Sequence, residues 1–448
     1  MTLALGPRVI VAGPASGVGK TTVAVGLMAA LRAAGQRVGA AKVGPDFIDP
    51  GYHALATGAP SRSLDLVLSG PAVVRHQAAA AGAGHDLLVI EGVMGLFDGA
   101  GDLGVDGSTA EVSRVLDAPV ILVVDAAAMS GSVAALVAGF AHFDPSVRVA
   151  GVICNRVGGP GHATLLREAL KPLGIPVLGV LERDDRLTWR ERHLGLVPVI
   201  EEPDAVRAAL ARLAAAVAAG VDLVAVRALA ASAPAQRVAP VATPGRVGAA
   251  RVAVAAGPAF SFVYPENLEA LAAAGAELAP FDPLVDEDLP AGCSALYAGG
   301  GFPEVFAEHL SANAPLRARV AARVAAGLVV WAECGGYLWL TESLEGQPMT
   351  GVLPGRHGVM TPRLHLGYRV ATTRAPSPLG PAGRELRGHE FHRTEVHPPG
   401  TGLHLASRFA DSVAGEVSPR MLASYLHLHL AATPALAESF VRAARAGS

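Results

Sequence analysis

A chain of 448 residues is too long for one hydrophobic core and requires about two domains. Its formal net charge of −3 gives no electrostatic footing for nucleic acid or an anionic membrane, and its three widely spaced cysteines, Cys154, Cys293 and Cys334, suit a reducing compartment and lack metal-ligand spacing. The most apolar long window, 119–140, is broken by Asp125 and Ser130-Gly131-Ser132, so it reads as a buried strand and a helix rather than a membrane span; the N-terminus runs straight into a strand, and no signal peptide is expected.

In chain order, strands are expected at 8–13, 37–43, 87–91, 119–125, 147–154 and 175–181, with helical patterns between them. Their apolar runs are continuous rather than alternating, which implies strands buried on both faces and so a parallel sheet covered by helices. Around 228–250 the text turns to alanine, proline and glycine without large apolar residues, the mark of a linker. The pattern then restarts with strands at 251–256, 294–298 and 328–332. The fold class is α/β, with one domain over 1–228, a linker over 229–249 and a second domain over 250–448.

The first strand is followed by GPASGVGKTT. A glycine-rich turn between strand and helix offers backbone N–H groups and a helix N-terminus to phosphate. Gly13, Ser16, Gly17, Gly19, Lys20, Thr21 and Thr22 are therefore expected to bind ATP, with the Lys20 cation on phosphate and the Thr21 hydroxyl on Mg²⁺. Gly13 and Gly19 are separated by five residues, one more than the common spacing, and Pro14 stands where the strict pattern has its first glycine. Mg²⁺ needs carboxylates besides. KVGPDFIDPGYH, 42–53, carries Lys42, Asp46 and Asp49, and EGVMGLFDG, 91–99, carries Glu91 and Asp98. Both lie beyond strand ends, where open α/β sheets bind ligands, although aspartate beside glycine or proline also forms turns. Asn155, after the fifth strand, reads either as an amide for a purine edge or as a turn cap.

In the second half, VVWAECGGYLWL, 329–340, puts Cys334 on a strand-to-helix corner. A helix N-terminus there is expected to lower the thiol pKa and make a nucleophile. MLASYLHLHL, 421–430, spaces Tyr425, His427 and His429 at period two, so one strand face would present all three and either histidine could be the base. YAGGGFPEVFAEHL, 297–310, supplies Gly299, Gly300 and Gly301, which with Gly335 are expected to give oxyanion N–H donors, and which the resemblance given below implies hold glutamine. The spacing His389-Glu390-x-His392 is not a zinc-binding HExxH.

The N-terminal half resembles the dethiobiotin synthetase-like P-loop ATPases. More narrowly, KVGPDFIDPGYH, EGVMGLFDG and RHLGLV, 192–197, are similar to the cobyrinic (or hydrogenobyrinic) acid a,c-diamide synthase family. YAGGGFPE, ECGGY and SYLH, in that order, resemble a class I glutamine amidotransferase domain of the cobyrinic/cobyric acid synthase-like branch. RLHLGYRV, 363–370, and GHEFHRTEV, 388–396, also look like this family, with side chains that could meet a polycarboxylate.

The resemblance implies an ATP-dependent synthetase domain, with Thr21, Asp46 and Glu91 at the metal. Lys42, Asp49, Asp98, Arg192 and His193 would face substrate. It picks His427 as base beside Cys334, but His429 stands where many such enzymes place the orienting glutamate. The implied reaction is ATP- and glutamine-dependent amidation of the a and c acetates of cobyrinate or hydrogenobyrinate through acyl phosphates, in cobalamin biosynthesis. Implied partners are a corrinoid polyacid and, as one assembly state, a second copy of the chain, with no nucleic acid or membrane and a cytoplasmic location. The rival readings are a cobyric acid synthase-like amidase and a partitioning-type P-loop ATPase with an inert amidotransferase domain. Such ATPases carry a second lysine early in the loop, and Pro14-Ala15-Ser16-Gly17 has none.

Overall fold

The computed structural model describes residues 3–100, 106–187, 189, 191–192, 195–407 and 410–446. The chain forms two units that divide between Val241 and Ala242. In the first, β1 (Arg8–Ala12), α1 (Lys20–Ala33), β2 (Val38–Val43), α2 (Asp49–Thr57), β3 (Arg62–Leu64), β4 (Leu87–Glu91), β5 (Val120–Asp125), β6 (Val149–Val157) and β7 (Val177–Glu182) follow in order. The seven strands make a parallel sheet ordered β3-β2-β4-β1-β5-β6-β7. Every residue of β1, β2 and β4 is buried, as their unbroken apolar runs imply. The order makes β2, β4 and β1 neighbours, so the residues at their carboxyl ends converge. Lys42 and Glu91 are direct ladder partners.

Two short elements escape the sequence reading. Arg62–Leu64 has only three residues, too few to show a period. The stretch expected as linker from 229 begins inside a helix, Leu223–Ala231, and Gln236–Arg237 pairs with Ala4–Leu5. Fully buried Arg8 fastens this end of the unit, donating to the carbonyls of Gly6 (2.8 Å), Leu116 (2.7 Å) and Pro234 (2.9 Å).

In the second unit β8 (Ala250–Ala255), β9 (Ala276–Phe281), β10 (Ala295–Ala298), β11 (Val329–Glu333), the short helix α3 (Gly335–Leu340), β12 (Leu353–Thr373), β13 (Glu385–His397), β14 (Glu416–Ser418), β15 (Met421–Ser424) and β16 (His427–Leu428) follow. The main sheet is ordered β9-β8-β10-β11-β15-β14 and is parallel except at the β14–β15 edge. Its faces are filled by Trp331, stacked on Tyr297 at 4.3 Å, and by Trp339, which tilts against Phe260 at 5.3 Å. A second, largely antiparallel sheet is built on the long β12–β13 pair and takes β16 on its far edge. Sequence reading misses that sheet, because its strands mix buried and exposed polar residues instead of forming apolar runs. No helix among the described residues is long and apolar enough to cross a membrane.

Arg8→Ala leaves four carbonyls, those of Gly6, Leu116, Asp117 and Pro234, without their donor. It should lower the stability of the first unit by about 3 kcal/mol in urea unfolding, since hydrogen bonds from a charged donor are the stronger kind. A loss near 0.5 kcal/mol, typical of a surface substitution, would contradict the anchoring role.

Candidate active sites in the two units

The loop after β1 delivers Lys20 at the first turn of α1. Gly19 has φ 94°, and a Cβ there would lie 2.1 Å from the Asn155 amide nitrogen, so only glycine fits. That amide donates to the Val18 carbonyl at 3.0 Å. Asn155 lies within β6 rather than after it and braces the loop. The Lys20 ammonium donates to the Ala15 carbonyl at 2.8 Å, folded back inside the cradle. Burial, then the charge of Lys42, lowers its pKa to about 8.

Behind the loop lies a buried cluster of opposite charges. The Lys42 ammonium donates to Asp49 (2.6 Å), to Glu91 (3.0 Å) and to the Gly92 carbonyl (3.2 Å). The Thr21 hydroxyl donates to Glu91 at 2.5 Å and lies 3.3 Å from Asp49. His53, one turn along α2 from Asp49, meets the other Glu91 oxygen at 2.6 Å and Ser61 at 3.0 Å. Burial alone would raise the Glu91 carboxyl, but Lys42 and the His53 and Thr21 hydrogen bonds outweigh it and hold Glu91 below the usual carboxylate range. Asp49 goes the other way, raised by burial and by the charges of Asp46 and Glu91.

The structure places the two aspartates of this segment differently from the expectation. Asp46, expected at the metal, accepts the N–H groups of Ile48 (2.8 Å) and Asp49 (3.0 Å) and caps the entrance to α2. Asp49, expected toward substrate, is the aspartate beside Thr21. Thr21, Asp49 and Glu91 thus form an all-oxygen donor set of the kind Mg²⁺ takes. Among the described residues no cluster of three or more His, Cys, Asp or Glu side chains could hold a metal. Asp98 accepts the Gly95 N–H at 2.8 Å, next to the loop. Arg192 falls in the two-residue strand Glu191–Arg192, and His193 lies outside the described residues.

In the second unit Cys334 is the hinge residue between β11 and α3. Its φ of 46° is unusual for a side-chain-bearing residue. The Cys334 N–H donates to Ser424 (2.8 Å), its carbonyl accepts from Leu338 (3.0 Å), and Gly336 N–H donates to Gly299 (2.9 Å), so the surroundings enforce the corner. The thiol is not acidified as expected. Burial, with the charge of Glu304 behind it, pushes its pKa up, and the Gly335 N–H only partly offsets this. A six-residue helix end does not compensate for the burial of a residue that is only 5% exposed.

The glycine loop after β10 closely approaches both the thiol corner and His427. A Cβ on Gly300 would sit 2.4 Å from His427 Cε1, and one on Gly335 2.9 Å from the Gly301 nitrogen. Gly300 cannot be an oxyanion donor as expected, because its N–H donates to the Phe262 carbonyl at 3.0 Å. The single strand face for Tyr425, His427 and His429 does not form either. β15 stops at Ser424, and the chain crosses to the second sheet, where His427 pairs with His389. Tyr425 instead stacks on His392 at 3.7 Å, and His429 packs edge-on against Tyr264 at 4.8 Å. Burial lowers the His429 pKa to about 4. The polar side chains of the two long-hairpin motifs turn on each other: Arg369 pairs with Glu390 at 2.9 Å, and His365 stacks on His392 at 4.8 Å.

Sequence reasoning missed three groups. His53 could have been found from its i,i+4 spacing with Asp49 on a helix. Glu333, beside Cys334, contacts His427 across 3.8 Å. Asn267 grips Leu428 and Leu430, donating to the first at 2.7 Å and accepting from the second at 2.8 Å, and no local signal marks it.

A P-loop nucleotide unit and a cysteine–histidine acyl-transfer corner in one chain define a glutamine-dependent amide ligase. The family model described as the CobQ/CobB/MinD/ParA nucleotide binding domain matches residues 9–197, and the CobB/CobQ-like glutamine amidotransferase domain matches 251–435. Hydrogenobyrinate a,c-diamide synthase of Streptomyces coelicolor is 48% identical over 98% of both chains. That of Mycobacterium bovis is 48% identical over 97% of both, and cobyrinate a,c-diamide synthase of Syntrophotalea carbinolica is 43% identical over 97% of this chain and 98% of that one. The chain belongs to the hydrogenobyrinate/cobyrinate a,c-diamide synthase family.

Two predictions follow from the geometry. Free Lys20 titrates near pH 8, and bound phosphate would raise it, so nucleotide binding takes up a proton above that pH. ATP affinity should be flat with respect to Lys20 below pH 8. Above it, affinity should weaken by up to about tenfold per pH unit, in calorimetry. Lys20→Arg should remove this dependence. The second prediction concerns Gly300→Ala, whose methyl group must push His427 away. Glutaminase turnover should fall on the order of 10²-fold while ammonia-dependent synthesis survives.

Proposed function

We propose that the chain amidates the a and c acetate carboxylates of hydrogenobyrinate. Glutamine is attacked by Cys334, with His427 taking the thiol proton and returning it to the departing ammonia. The resulting thioester is hydrolysed to glutamate. At the P-loop the substrate carboxylate attacks the γ-phosphate of ATP, which gives an acyl phosphate and ADP. Ammonia then displaces phosphate and leaves the amide. Activation is needed because a carboxylate is a poor electrophile with no viable leaving group.

Lys20 and the loop amides hold the phosphates. Thr21, Asp49 and Glu91 would hold Mg²⁺, which neutralises phosphate charge when bound. The Gly301 and Gly335 amides are the candidate oxyanion donors. Because burial keeps the Cys334 thiol protonated, proton transfer to His427 belongs to the attack itself. The observation that carries the reading is that the Gly300–Gly301 loop closely approaches both Gly335, next to Cys334, and His427. The choice of the metal-free ring rests on the relatives' names: the Streptomyces relative, at 48% identity, is named for hydrogenobyrinate, and the Syntrophotalea relative, at 43%, for cobyrinate.

Purified protein with ATP, Mg²⁺ and glutamine should convert hydrogenobyrinate to a diamide detectable by mass spectrometry. Faster turnover of cobyrinate would reverse the choice of ring. Cys334→Ser should abolish glutamine-dependent product yet keep synthesis from ammonium salt. Loss of both in a folded variant would show that Cys334 is not a dedicated glutaminase nucleophile.

A further inference from the structure

One ring nitrogen of His427, Nδ1, faces Glu333. A neutral imidazole accepts a proton at one nitrogen only if the other carries its own, and that tautomer is set by what the second nitrogen meets. The residue two positions on is His429, which is packed against Tyr264 and carries no negative charge. Glu333, the last residue of β11, does reach the base. One Glu333 oxygen accepts the Leu428 N–H at 2.9 Å. The other accepts the Tyr297 hydroxyl at 3.1 Å and lies 3.8 Å from His427 Nδ1. Nε2 is on the side of the glycine loop, 3.1 Å from where a Gly300 Cβ would stand. Glu333 is 1% exposed, so its carboxylate has no solvent to share its charge with.

We propose that Glu333 is the positioning residue of His427, replacing the acid that would otherwise lie two residues beyond the histidine. It accepts the Nδ1 proton, leaves Nε2 as the acceptor toward Cys334, and stabilises the imidazolium formed when the thiol attacks. The separation of 3.8 Å is longer than a hydrogen bond, as resting catalytic pairs often are, and shortens once the ring is charged. Two hydrogen bonds already aim the carboxylate, and its neighbour in sequence is the nucleophile. One turn of chain therefore sets both ends of the proton path. The inference rests on the glutaminase reading above.

Glu333→Gln keeps the shape and an acceptor for Leu428 but removes the charge. Glutaminase kcat should fall on the order of 10²–10³-fold. The glutamine KM should stay within about threefold and ammonia-dependent synthesis should persist, a kcat-specific loss that a merely structural role would not give. Glu333→Asp should recover part of the rate. In the unaltered protein, ¹⁵N NMR of the histidine rings, with His427 assigned by comparison with His427→Ala, should find the neutral ring protonated at Nδ1. An Nε2-protonated His427 overturns the proposal, whether or not the variants fold. So does Glu333→Gln with a rate within about threefold of normal, or with equal losses of both activities. If His427→Ala itself keeps full glutaminase activity, it is the assignment of the base that fails, not that of its partner.

Discussion

A glutamate buried at the carboxyl end of a central parallel strand is the constraint on which both units are built. Glu91 ends β4 and is fully buried, and Glu333 ends β11 and is nearly so. A carboxylate in such a place is tolerated only when its oxygens are occupied by donors or cations. Glu91 gathers Thr21, Lys42 and His53, which fixes the first turn of α1 and the start of α2 relative to each other. Glu333 gathers the Leu428 amide, the Tyr297 hydroxyl and His427, which fixes the crossing from the main sheet to the second one. In each unit the candidate site sits among the groups recruited to satisfy one buried acid.

The two clusters use that constraint differently. In the first, like and unlike charges are packed so closely that neighbouring groups are driven apart. Glu91 is held ionised, Asp49 is pushed toward its neutral form, and the charge of Lys42 is reinforced. A bound cation or phosphate would redistribute these charges, which makes the site responsive to its ligands. In the second, burial keeps the Cys334 thiol protonated, so it is poor at reacting with anything that lacks an electrophilic carbon in place. The strain at Cys334 is held by backbone hydrogen bonds from β15, α3 and the glycine loop, not by the thiol itself.

Nine strands were legible as apolar runs, from 8–13 to 328–332, and each is present within two or three residues of its expected ends. Runs of this kind report burial on both faces, which is a local property of sequence. The β12–β13 sheet was illegible for the converse reason: its strands interleave His, Arg and Glu with apolar residues, and many of these polar groups are buried against one another rather than facing water. The period-two reading of 421–430 failed because nothing in Tyr425-Leu426 announces that the chain leaves one sheet for another there.

The sequence by itself pointed to the two α/β units, the phosphate loop with Lys20 and Thr21, the candidate nucleophile Cys334 and, through resemblance, the candidate base His427. These are encoded by contiguous residues whose spacing is their geometry. Only the tertiary structure decided that Asp49 rather than Asp46 stands by Thr21, that Asn155 braces the loop, that the Gly300 amide is already bonded, that the thiol is raised rather than lowered, and that Glu333 faces His427. Each of these depends on which distant strand lies alongside, and on how much water the packing excludes, and neither is written in any single stretch of chain.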